Sequence, residues 1–330
     1  MMRKFDRCIG GYAGCGNLGD DAILQAYLGS LTRAERRKTA VLSGCPSWDR
    51  RRFGVTCVNR KNPFAVALCL LQSSRFLLGG GSLLQNGTGN LSLLYYLGLL
   101  RLARLCGCKT QLLAGGVGPL RGAWAMMAAA RELKRCDGIQ LRDARSKAYL
   151  IEWGISSDAL TVGEDPAANL PLPDALRRTF LLQEVGLSDD VSYFCVVLRD
   201  PSSQNRNCLH MIAAVIRLFS EQQKLTPVFL IFDKKHDQRV TSWMCRRTNG
   251  KIANLREASD ALSLISGCRC LLSMRLHALI FAAKSETLAV GVSPNDAEPK
   301  LQSFCATHQI PHVIPSRLNV AWLLSQLERI

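Results

Sequence analysis

One segment of the chain combines a fixed cation with a titratable ring at the junction of two apolar runs. Residues 271–283 contain Arg275 and His277 as their only charged or titratable groups. Arginine presents a planar fork that suits carboxylate or phosphate, whereas histidine titrates near neutrality and exchanges protons. The pattern therefore predicts a site that binds an anion and moves a proton. A solvated arginine beside a core histidine is the alternative interpretation.

Glycine-rich turns follow three apolar runs in the first half of the chain. They lie at residues 10–16, 79–81 and 115–118. An apolar run, a glycine-rich turn and a helical segment in succession are typical of a parallel α/β sheet, where ligands bind beyond the carboxyl ends of the strands. Glycine there permits positive φ and a close approach of the backbone to a ligand. We therefore predict a binding site along one sheet edge.

The polar residues around the first two turns suit hydroxyl groups. Asp20 and Asp21 repel phosphate, although a helix N-terminus by itself attracts it. A sugar-like acceptor is therefore expected on this side of the site. The residues expected to bind it are Asn17, Asp20, Gly80, Gly81 and Gln85. A tight turn in which aspartates cap the helix is the alternative interpretation.

Further cations occur where other predicted strands end. Arg142 follows the apolar run 139–141 in the position that Arg275 holds later, and Arg199 follows the run 193–198. Lys300 comes after another predicted strand, 288–292. For Arg142 the alternative is a surface or helix-capping pair with Asp143.

Composition limits the class of protein. The chain has 330 residues, of which 48% are hydrophobic and 21% charged, so about two globular domains are expected. Its 14 cysteines are scattered and no signal peptide is evident, which favours reduced thiols in a cytoplasmic protein. No cysteine or histidine pattern has the spacing of a zinc site, so no metal is expected.

The net charge of +16 calls for an acidic partner. Nucleic acid, an anionic membrane surface and small acidic substrates are the three classes to consider. The basic residues form no known nucleic-acid-binding motif, and we expect no nucleic acid partner. Peripheral contact with an anionic membrane at its inner face stays open, because exposed cations are attracted to such a surface.

The alternation of strands and helices restarts after a proline-rich linker near residue 170. We predict an α/β protein with two Rossmann-like domains, residues 1–170 and 171–330, which face each other across a cleft in a GT-B-like arrangement. The first domain is the expected acceptor side and the second the expected donor side. A terminal helix at about 320–330 can pack back on the first domain.

Six motifs together resemble the polysaccharide pyruvyl transferases, most closely their CsaB-like bacterial branch. They lie at residues 11–24, 79–85, 116–120, 141–143, 165–167 and 274–283. The resemblance implies a GT-B-like fold and transfer of the pyruvyl group of phosphoenolpyruvate to two hydroxyls of a polysaccharide sugar. The product is a cyclic ketal, often on N-acetylmannosamine of a cell-wall polymer, and the acceptor is a polysaccharide or a lipid-linked saccharide.

Functional residues follow from the same motifs. The resemblance implies that Arg275, Leu276 and His277 form the family's Arg-Leu-His element, that Arg142 belongs to its Arg-Asp element, and that Lys300 is the lysine of a Pro-Lys pair. The chain departs from the family pattern at Ser273, where glycine is usual, at Asn86, where aspartate is usual, and at Gly115, where glutamine is common. The segment before Lys300 is also longer.

The expected chemistry needs cations and an acid/base but no cofactor. Phosphoenolpyruvate carries a carboxylate and a phosphate of about −1.5 to −2 charge. The residues expected to bind this donor are Arg275, Leu276, His277, Lys300 and Arg199. His277 is the expected acid/base, with Arg275 and Arg142 as catalytic cations.

Two other functions remain open from the sequence. A sugar-nucleotide glycosyltransferase on the same fold needs a ribose-binding acid, for which Glu257 near a helix start is the candidate. A non-catalytic relative that binds acidic glycans needs neither Arg275 nor His277. Release of phosphate from phosphoenolpyruvate with candidate glycolipid acceptors distinguishes the pyruvyl transferase from these two functions.

Overall fold

The computed structural model describes residues 3–87, 89–188, 190–201, 206–296 and 298–329. The chain divides into two compact units, Met1–Leu170 and Pro171–Ile330. Each unit contains one sheet in which all paired strands are parallel, with helices as the connections between strands. The predicted pair of Rossmann-like domains is therefore confirmed.

Unit 1 is built on a seven-stranded sheet in the order β3-β2-β1-β4-β5-β6-β7. Its strands are β1 (Phe5–Gly10), β2 (Thr39–Ser43), β3 (Thr56–Asn59), β4 (Ser73–Gly79), β5 (Lys109–Gly115), β6 (Gly138–Leu141) and β7 (Leu160–Val162). Its helices are α1 (Leu18–Gly29), α2 (Arg33–Arg37), α3 (Pro46–Phe53), α4 (Pro63–Leu71), α5 (Asn90–Leu105), α6 (Ala123–Leu133) and α7 (Ala144–Glu152). Short 3₁₀ turns occur at Ser157–Ala159 and Pro166–Asn169.

Alternate residues of the central strands are buried on opposite faces of this sheet. Cys8 and Phe76 belong to a core with α4, α5 and α6, whereas Ile9 and Leu77 belong to a core with α1. Successive side chains of a strand point to opposite faces, so two helical layers cover the sheet. The strand order reverses between β1 and β4, which places the loops after these two strands side by side at the carboxyl edge.

Unit 2 repeats the arrangement with six strands in the order β10-β9-β8-β11-β12-β13. Its strands are β8 (Tyr193–Val197), β9 (Thr226–Phe229), β10 (Lys251–Ile252), β11 (Leu271–Ser273), β12 (Ala289–Val292) and β13 (His312–Val313). Its helices are α8 (Ala175–Glu184), α9 (Asn207–Gln223), α10 (Lys234–Thr248), α11 (Ala258–Ser266), α12 (Leu276–Lys284), α13 (Pro299–Thr307) and α14 (Val320–Glu328), with a 3₁₀ turn at Pro315–Arg317. The order reverses between β8 and β11, so their loops are neighbours.

The terminal helix α14 packs within unit 2. Leu323 and Leu327 are fully buried in the core of this unit, where α14 packs on α9. The packing of this helix on the first domain stays a prediction. No helix among the described residues is long and apolar enough to cross a membrane.

Candidate active site

Buried polar groups hold the loop after β1. Asn17 caps α1, its Oδ1 accepting a hydrogen bond from the N–H of Gly19 at 3.0 Å. Asp21 accepts one from the N–H of Gly14 at 3.1 Å and pairs with Nη1 of Arg52 at 3.2 Å. Burial raises the pKa of Asp21, and Arg52 and the Gly14 N–H oppose that rise. Asn17 and Asp21 thus shape the loop, and the helix cap expected of an aspartate is made by Asn17.

Gly80 and Gly81 bring the loop after β4 against α1. Both have left-handed backbones, with φ of +67° and +72°, and a β-carbon on them would overlap Ile23 and Asp20 respectively. The two glycines thus leave room for side chains of α1, and their contact with a ligand stays a prediction. The half-buried Asp20 carboxylate consequently lies beside Gly81, which brings three predicted acceptor residues together.

Gln85 belongs to the same edge but bonds within its own loop. Its Oε1 accepts a hydrogen bond from the N–H of Gly87 at 2.6 Å. The side chain is half-buried at the end of the β4 loop. Its amide therefore stabilises the conformation of the loop after β4. Binding of a sugar by Gln85 stays a prediction.

Arg142 connects three loops of unit 1. Its Nη1 lies 2.9 Å from Oδ2 of Asp165 and its Nη2 donates to Oγ of Ser82 at 2.8 Å, while Asp143 is farther away at 3.8 Å. The side chain is only 6% exposed. Gly116 leaves the space for it, because a β-carbon there would approach the guanidinium to 3.0 Å. Arg142 therefore ties the ends of β4, β6 and β7 together, with its charge balanced by Asp165.

In unit 2 the predicted anion-binding arginine already has an anion. Nε of Arg275 lies 2.9 Å from Oδ2 of Asp237, and Nη2 lies 2.6 Å from Oδ1 of the same carboxylate. Asp237 is fully buried, and Asp233 approaches Arg275 to 3.8 Å. Burial raises the pKa of Asp237, whereas its bonds to Arg275 act to lower it. Protein carboxylates therefore balance the charge of Arg275, and its contact with a donor stays a prediction.

The first turn of α12 presents Leu276 and His277 next to that ion pair. Arg275 is the residue before the helix, and its N–H donates to Oγ of Ser273 at 3.0 Å. The first N–H groups of a helix have no partner within it and attract anions. These groups lie at the carboxyl end of β11, with the half-buried His277 ring in the same turn. Leu276 can therefore contribute its backbone N–H to an anion.

Arg199 and Lys300 come to the same edge from the two neighbouring strands. Arg199 follows β8 and pairs with Glu298, which follows β12, at 3.3 Å. Because β11 lies between β8 and β12, this pair brackets the start of α12. Lys300 is in the first turn of α13, two residues after Glu298. The predicted donor residues are thus assembled at one edge of unit 2.

Sequence reasoning missed the carboxylates and the histidine of the loop after β9. Asp233 caps α10 by accepting from the N–H of His236 at 3.2 Å, and its other oxygen lies 2.8 Å from Nδ1 of His236. Asp237, one turn on, holds Arg275. The sequence did contain a signal for them, because Asp233 is a polar residue directly after the apolar run 228–232, as at the other predicted strand ends.

A second missed residue, Arg60, supports the loop after β1. Its Nη1 donates to the carbonyl of Gly11 at 2.6 Å and its Nη2 to the hydroxyl of Tyr96 at 3.2 Å. The guanidinium lies among the rings of Tyr12, Tyr95 and Tyr96, with centroids at 5.5, 4.7 and 5.6 Å. Burial raises the pKa of Tyr96 to about 12, so its hydroxyl stays protonated near neutrality. Arg60 therefore fixes the backbone next to the predicted acceptor residues.

Two features bear on other ligands. Glu257 starts α11 in a capping box with Asp260, so its carboxylate serves the helix terminus. No group of three or more metal-ligating side chains occurs in the part of the chain that the structure describes.

A family model described as polysaccharide pyruvyl transferase matches residues 17–296. The chain belongs to this family. No protein of curated function matches its sequence. The family match supports a transferase and includes the loops after β4, β6 and β11, together with the β9 carboxylates.

Solved structures with the same fold include enzymes of sugar nucleotides. The UDP-GlcNAc 2-epimerase of Methanocaldococcus jannaschii is 13% identical, with a TM-score of 0.66 over 98% of this chain and 91% of that one. Anabaena HepE in complex with UDP-glucose is 11% identical, with a TM-score of 0.63 over 98% and 89%. A Rickettsia africae glycosyltransferase is 12% identical, with a TM-score of 0.58 over 98% and 88%. The predicted GT-B-like fold is confirmed.

The departures from the polysaccharide pyruvyl transferase pattern have local physical reasons. Oγ of Ser273 accepts from the N–H of Arg275 and donates to its carbonyl at 2.9 Å, which fixes the turn into α12. Asn86 accepts from the N–H of Arg121 at 2.8 Å and donates to its carbonyl at 2.9 Å, and a carboxylate cannot do both. A side chain at Gly115 would collide with Leu112.

Proposed function

We propose that this chain transfers the pyruvyl group of phosphoenolpyruvate to two hydroxyls of a sugar in a cell-wall or surface polysaccharide precursor. A cyclic pyruvate ketal forms and phosphate is released. The family match over residues 17–296 carries this proposal. The assembly of Arg199, Arg275, His277 and Lys300 at one sheet edge supports it.

The donor is proposed to bind at the start of α12. Arg275 is balanced by Asp237 and Asp233, so its main contribution is to fix the turn from which the helix begins. The N–H groups of Leu276 and His277 and the ammonium of Lys300 then receive the carboxylate and phosphate. Arg199 is 42% exposed on its side chain and can exchange Glu298 for the donor at little cost, since exposed ion pairs contribute about 0–1 kcal/mol.

The reaction consists of proton transfers and one departure of phosphate. Protonation of the enol methylene produces a methyl group, and one sugar hydroxyl bonds to the carbon that carries the phosphate. The bond from that carbon to the phosphate oxygen breaks, and the second hydroxyl closes the ketal. The two sugar hydroxyls lose two protons in all. One proton is equivalent to the hydrogen gained by the new methyl group, and the other leaves with phosphate. No redox step or cofactor is required.

His277 is proposed to transfer these protons. It is the titratable side chain in the first turn of α12, next to the N–H groups that receive the donor. A histidine that exchanges protons near neutrality gives general acid/base catalysis of about 10² to 10⁴ in rate. Arg142 is proposed to act by holding the loops of unit 1, because its guanidinium is paired with Asp165.

The acceptor is proposed to bind the loops after β1 and β4. Asp20 beside Gly81 supplies a carboxylate that accepts hydrogen bonds from sugar hydroxyls, and Asn17 and Gln85 shape the surrounding backbone. We further propose that the protein acts in the cytoplasm, as a peripheral protein on an acceptor held at the inner face of the membrane. The net charge of +16 supports the membrane contact.

The test is release of phosphate from phosphoenolpyruvate with a panel of saccharides that includes N-acetylmannosaminides, followed by mass analysis of the acceptor. We expect acceptor-dependent phosphate release and a pyruvyl ketal on the product. His277→Gln is expected to lower the rate by about 10² or more and to preserve donor binding. His308→Gln, an exposed histidine of the same unit, is the matched control.

Other results identify the other functions. Transfer of a sugar from a sugar nucleotide, without phosphate release from phosphoenolpyruvate, would indicate the glycosyltransferase. Glycan binding without turnover would indicate the non-catalytic relative. The glycosyltransferase is disfavoured because Glu257, its candidate ribose ligand, caps α11.

A further inference from the structure

Large apolar side chains are exposed on three helices of unit 1. Phe64 is 85% exposed, Leu91 84% and Trp124 51%, and each lies near the beginning of its helix, α4, α5 or α6. Further exposed apolar residues on the same helices are Leu68, Leu71, Leu94 and Met127. Exposed large apolar side chains are common singly, but a concentration on adjacent elements indicates a binding surface.

These side chains share one face. α4 packs on α5 and α5 packs on α6, and all three contribute to the core on the side of the sheet where Phe76 is buried. On α4 the exposed residues recur at intervals of four and three, and on α6 Trp124 and Met127 are three apart, so each set forms an outer stripe. We name this surface, with the seven apolar residues above, the α4–α6 face.

The charge of the α4–α6 face has one sign. Residues 60–135 contain ten lysines and arginines and one acidic residue, Glu132. Glu132 is buried and paired with Arg104, so it does not offset the exposed cations. The exposed cations on and beside the three helices are Lys61, Arg101, Arg121, Arg131, Lys134 and Arg135.

We propose that the α4–α6 face docks on an anionic lipid bilayer. Aromatic and aliphatic side chains enter the boundary between headgroups and acyl chains, and the surrounding lysines and arginines bind anionic headgroups. A second copy of the chain is a poorer occupant, because two-fold pairing of this face brings cations against cations. An apolar face with exposed cations on and beside it complements a lipid bilayer, whose interior is apolar and whose headgroup layer is anionic.

The docking surface borders the acceptor side of the proposed site. The helices run antiparallel to their strands, so the N-termini of α4, α5 and α6 lie at the carboxyl edge of the sheet, where the loops after β4 and β5 begin. Docking therefore brings these loops close to the headgroup layer. Presentation of a lipid-linked saccharide to Asp20 and Gly81 rests on the proposed function. Binding to the bilayer does not rest on it.

The experiment measures partition of the full chain into vesicles. Vesicles of phosphatidylcholine with roughly one third phosphatidylglycerol are compared with vesicles of phosphatidylcholine alone, at low and high salt. The first variant replaces Phe64, Leu91 and Trp124 with serine. The second replaces Arg101, Arg121 and Arg131 with glutamine. All six side chains are exposed, so the fold should persist, which circular dichroism verifies.

Each variant has a matched control. Leu172→Ser, Leu176→Ser and Leu288→Ser remove three apolar side chains of unit 2 that are each more than half exposed. Arg33→Gln, Arg37→Gln and Lys38→Gln remove three exposed cations on and just after α2, which lies outside the α4–α6 face. We expect the arginine variant to bind anionic vesicles about a hundredfold more weakly, because each cation near an anionic leaflet contributes a factor of about five. The serine variant should lose at least about tenfold, and both controls should bind like the unchanged protein.

Three results would overturn the proposal. They are equal binding to neutral and anionic vesicles, equal losses in a variant and its control, and a change of oligomeric state in the serine variant without a change in vesicle binding. The last result would assign the face to contacts between copies. Because partition is measured without phosphoenolpyruvate or saccharide, its outcome is independent of the proposed reaction, and turnover of a soluble acceptor should be unchanged in the serine variant.

Discussion

Replacing Arg275 with methionine should destabilise unit 2 as well as impair donor binding. The substitution keeps most of the side-chain volume but leaves Asp237 fully buried without its two bonds from the guanidinium. Asp233, which approaches Arg275 to 3.8 Å, loses its counter-charge as well. Removing one partner of a buried ion pair costs about 3–5 kcal/mol. We expect a loss of that size in the free energy of unfolding.

The size of the loss can be separated into its causes by a double-mutant cycle. Asp237→Leu combined with Arg275→Met replaces the ion pair with apolar side chains, which is often neutral or stabilising. The double variant should therefore recover most of the stability lost in Arg275→Met. Arg256→Met removes the partner of Glu184 in a pair whose arginine is 40% exposed, and should change stability by less than about 1 kcal/mol. Urea denaturation at fixed pH measures the free energies of unfolding of the unchanged chain, Arg275→Met, Asp237→Leu, the double variant and Arg256→Met.

The pH dependence supplies a second signature of the same pair. Burial raises the pKa of Asp237, and loss of Arg275 removes the interaction that opposes the rise. A carboxyl whose folded-state pKa exceeds its unfolded-state value loses stability as the pH rises through the folded-state pKa. The deficit of Arg275→Met should therefore be small near pH 4 and grow toward neutrality. An Arg275→Met protein as stable as the unchanged chain at pH 7, yet inactive, would refute the pairing and restore Arg275 as a direct donor ligand.

Three further predictions concern positioning and protonation. In Arg60→Lys the ammonium lacks the fork that hydrogen-bonds to the Gly11 carbonyl and the Tyr96 hydroxyl at once. We therefore expect kcat/KM for the acceptor to fall about tenfold. Donor affinity, measured by titration calorimetry, should be unchanged. Burial lowers the pKa of His312, so its contribution to stability is present above pH about 6.5 and is lost as the pH falls. Urea midpoints between pH 7.5 and 5.5 should show this slope, and His312→Gln should reduce it. Donor binding should take up protons, which calorimetry in two buffers of different ionisation enthalpy measures; identical heats would contradict this.

Sequence patterns predicted strands that contain a continuous apolar run. β8 is such a run over its whole length and β4 from Phe76 to Leu78, because a strand segment covered on both faces is apolar until it ends in a glycine or a polar residue. The edge strands β3 and β10 escaped prediction. They have four and two residues and are partly exposed, so no apolar run distinguishes them from a loop. Their strand conformation comes from pairing with a neighbour that the local sequence does not reveal.

For the candidate site, positions were predictable but partners were not. Arg142 and Arg275 were found because each directly follows a predicted strand. Their carboxylates lie 23 residues later, at Asp165, and 38 residues earlier, at Asp237. These pairs form because strands distant in sequence are close at one sheet edge, and no local spacing encodes that distance. The protein thus supplies a carboxylate to each of the two guanidinium groups that the sequence assigned to ligands, and their contact with ligands stays a prediction.

The charges at the sheet edge of unit 2, where the donor is proposed to bind, balance one another, and this affects how a donor is attracted. Arg199, Arg275 and Lys300 supply three positive charges, and the carboxylates of Asp233, Asp237 and Glu298 supply three negative ones. At an edge that is neutral in these groups, a donor is attracted through oriented N–H groups and by taking the place of a protein carboxylate, as Arg199 exchanging Glu298 allows. Arrival of a carboxylate and a phosphate favours protonation of a nearby histidine, because an added anion stabilises the imidazolium. If phosphoenolpyruvate is the donor, as proposed, the proton that its enol methylene requires is captured when it binds, which joins recognition of the donor to the first step of the proposed transfer.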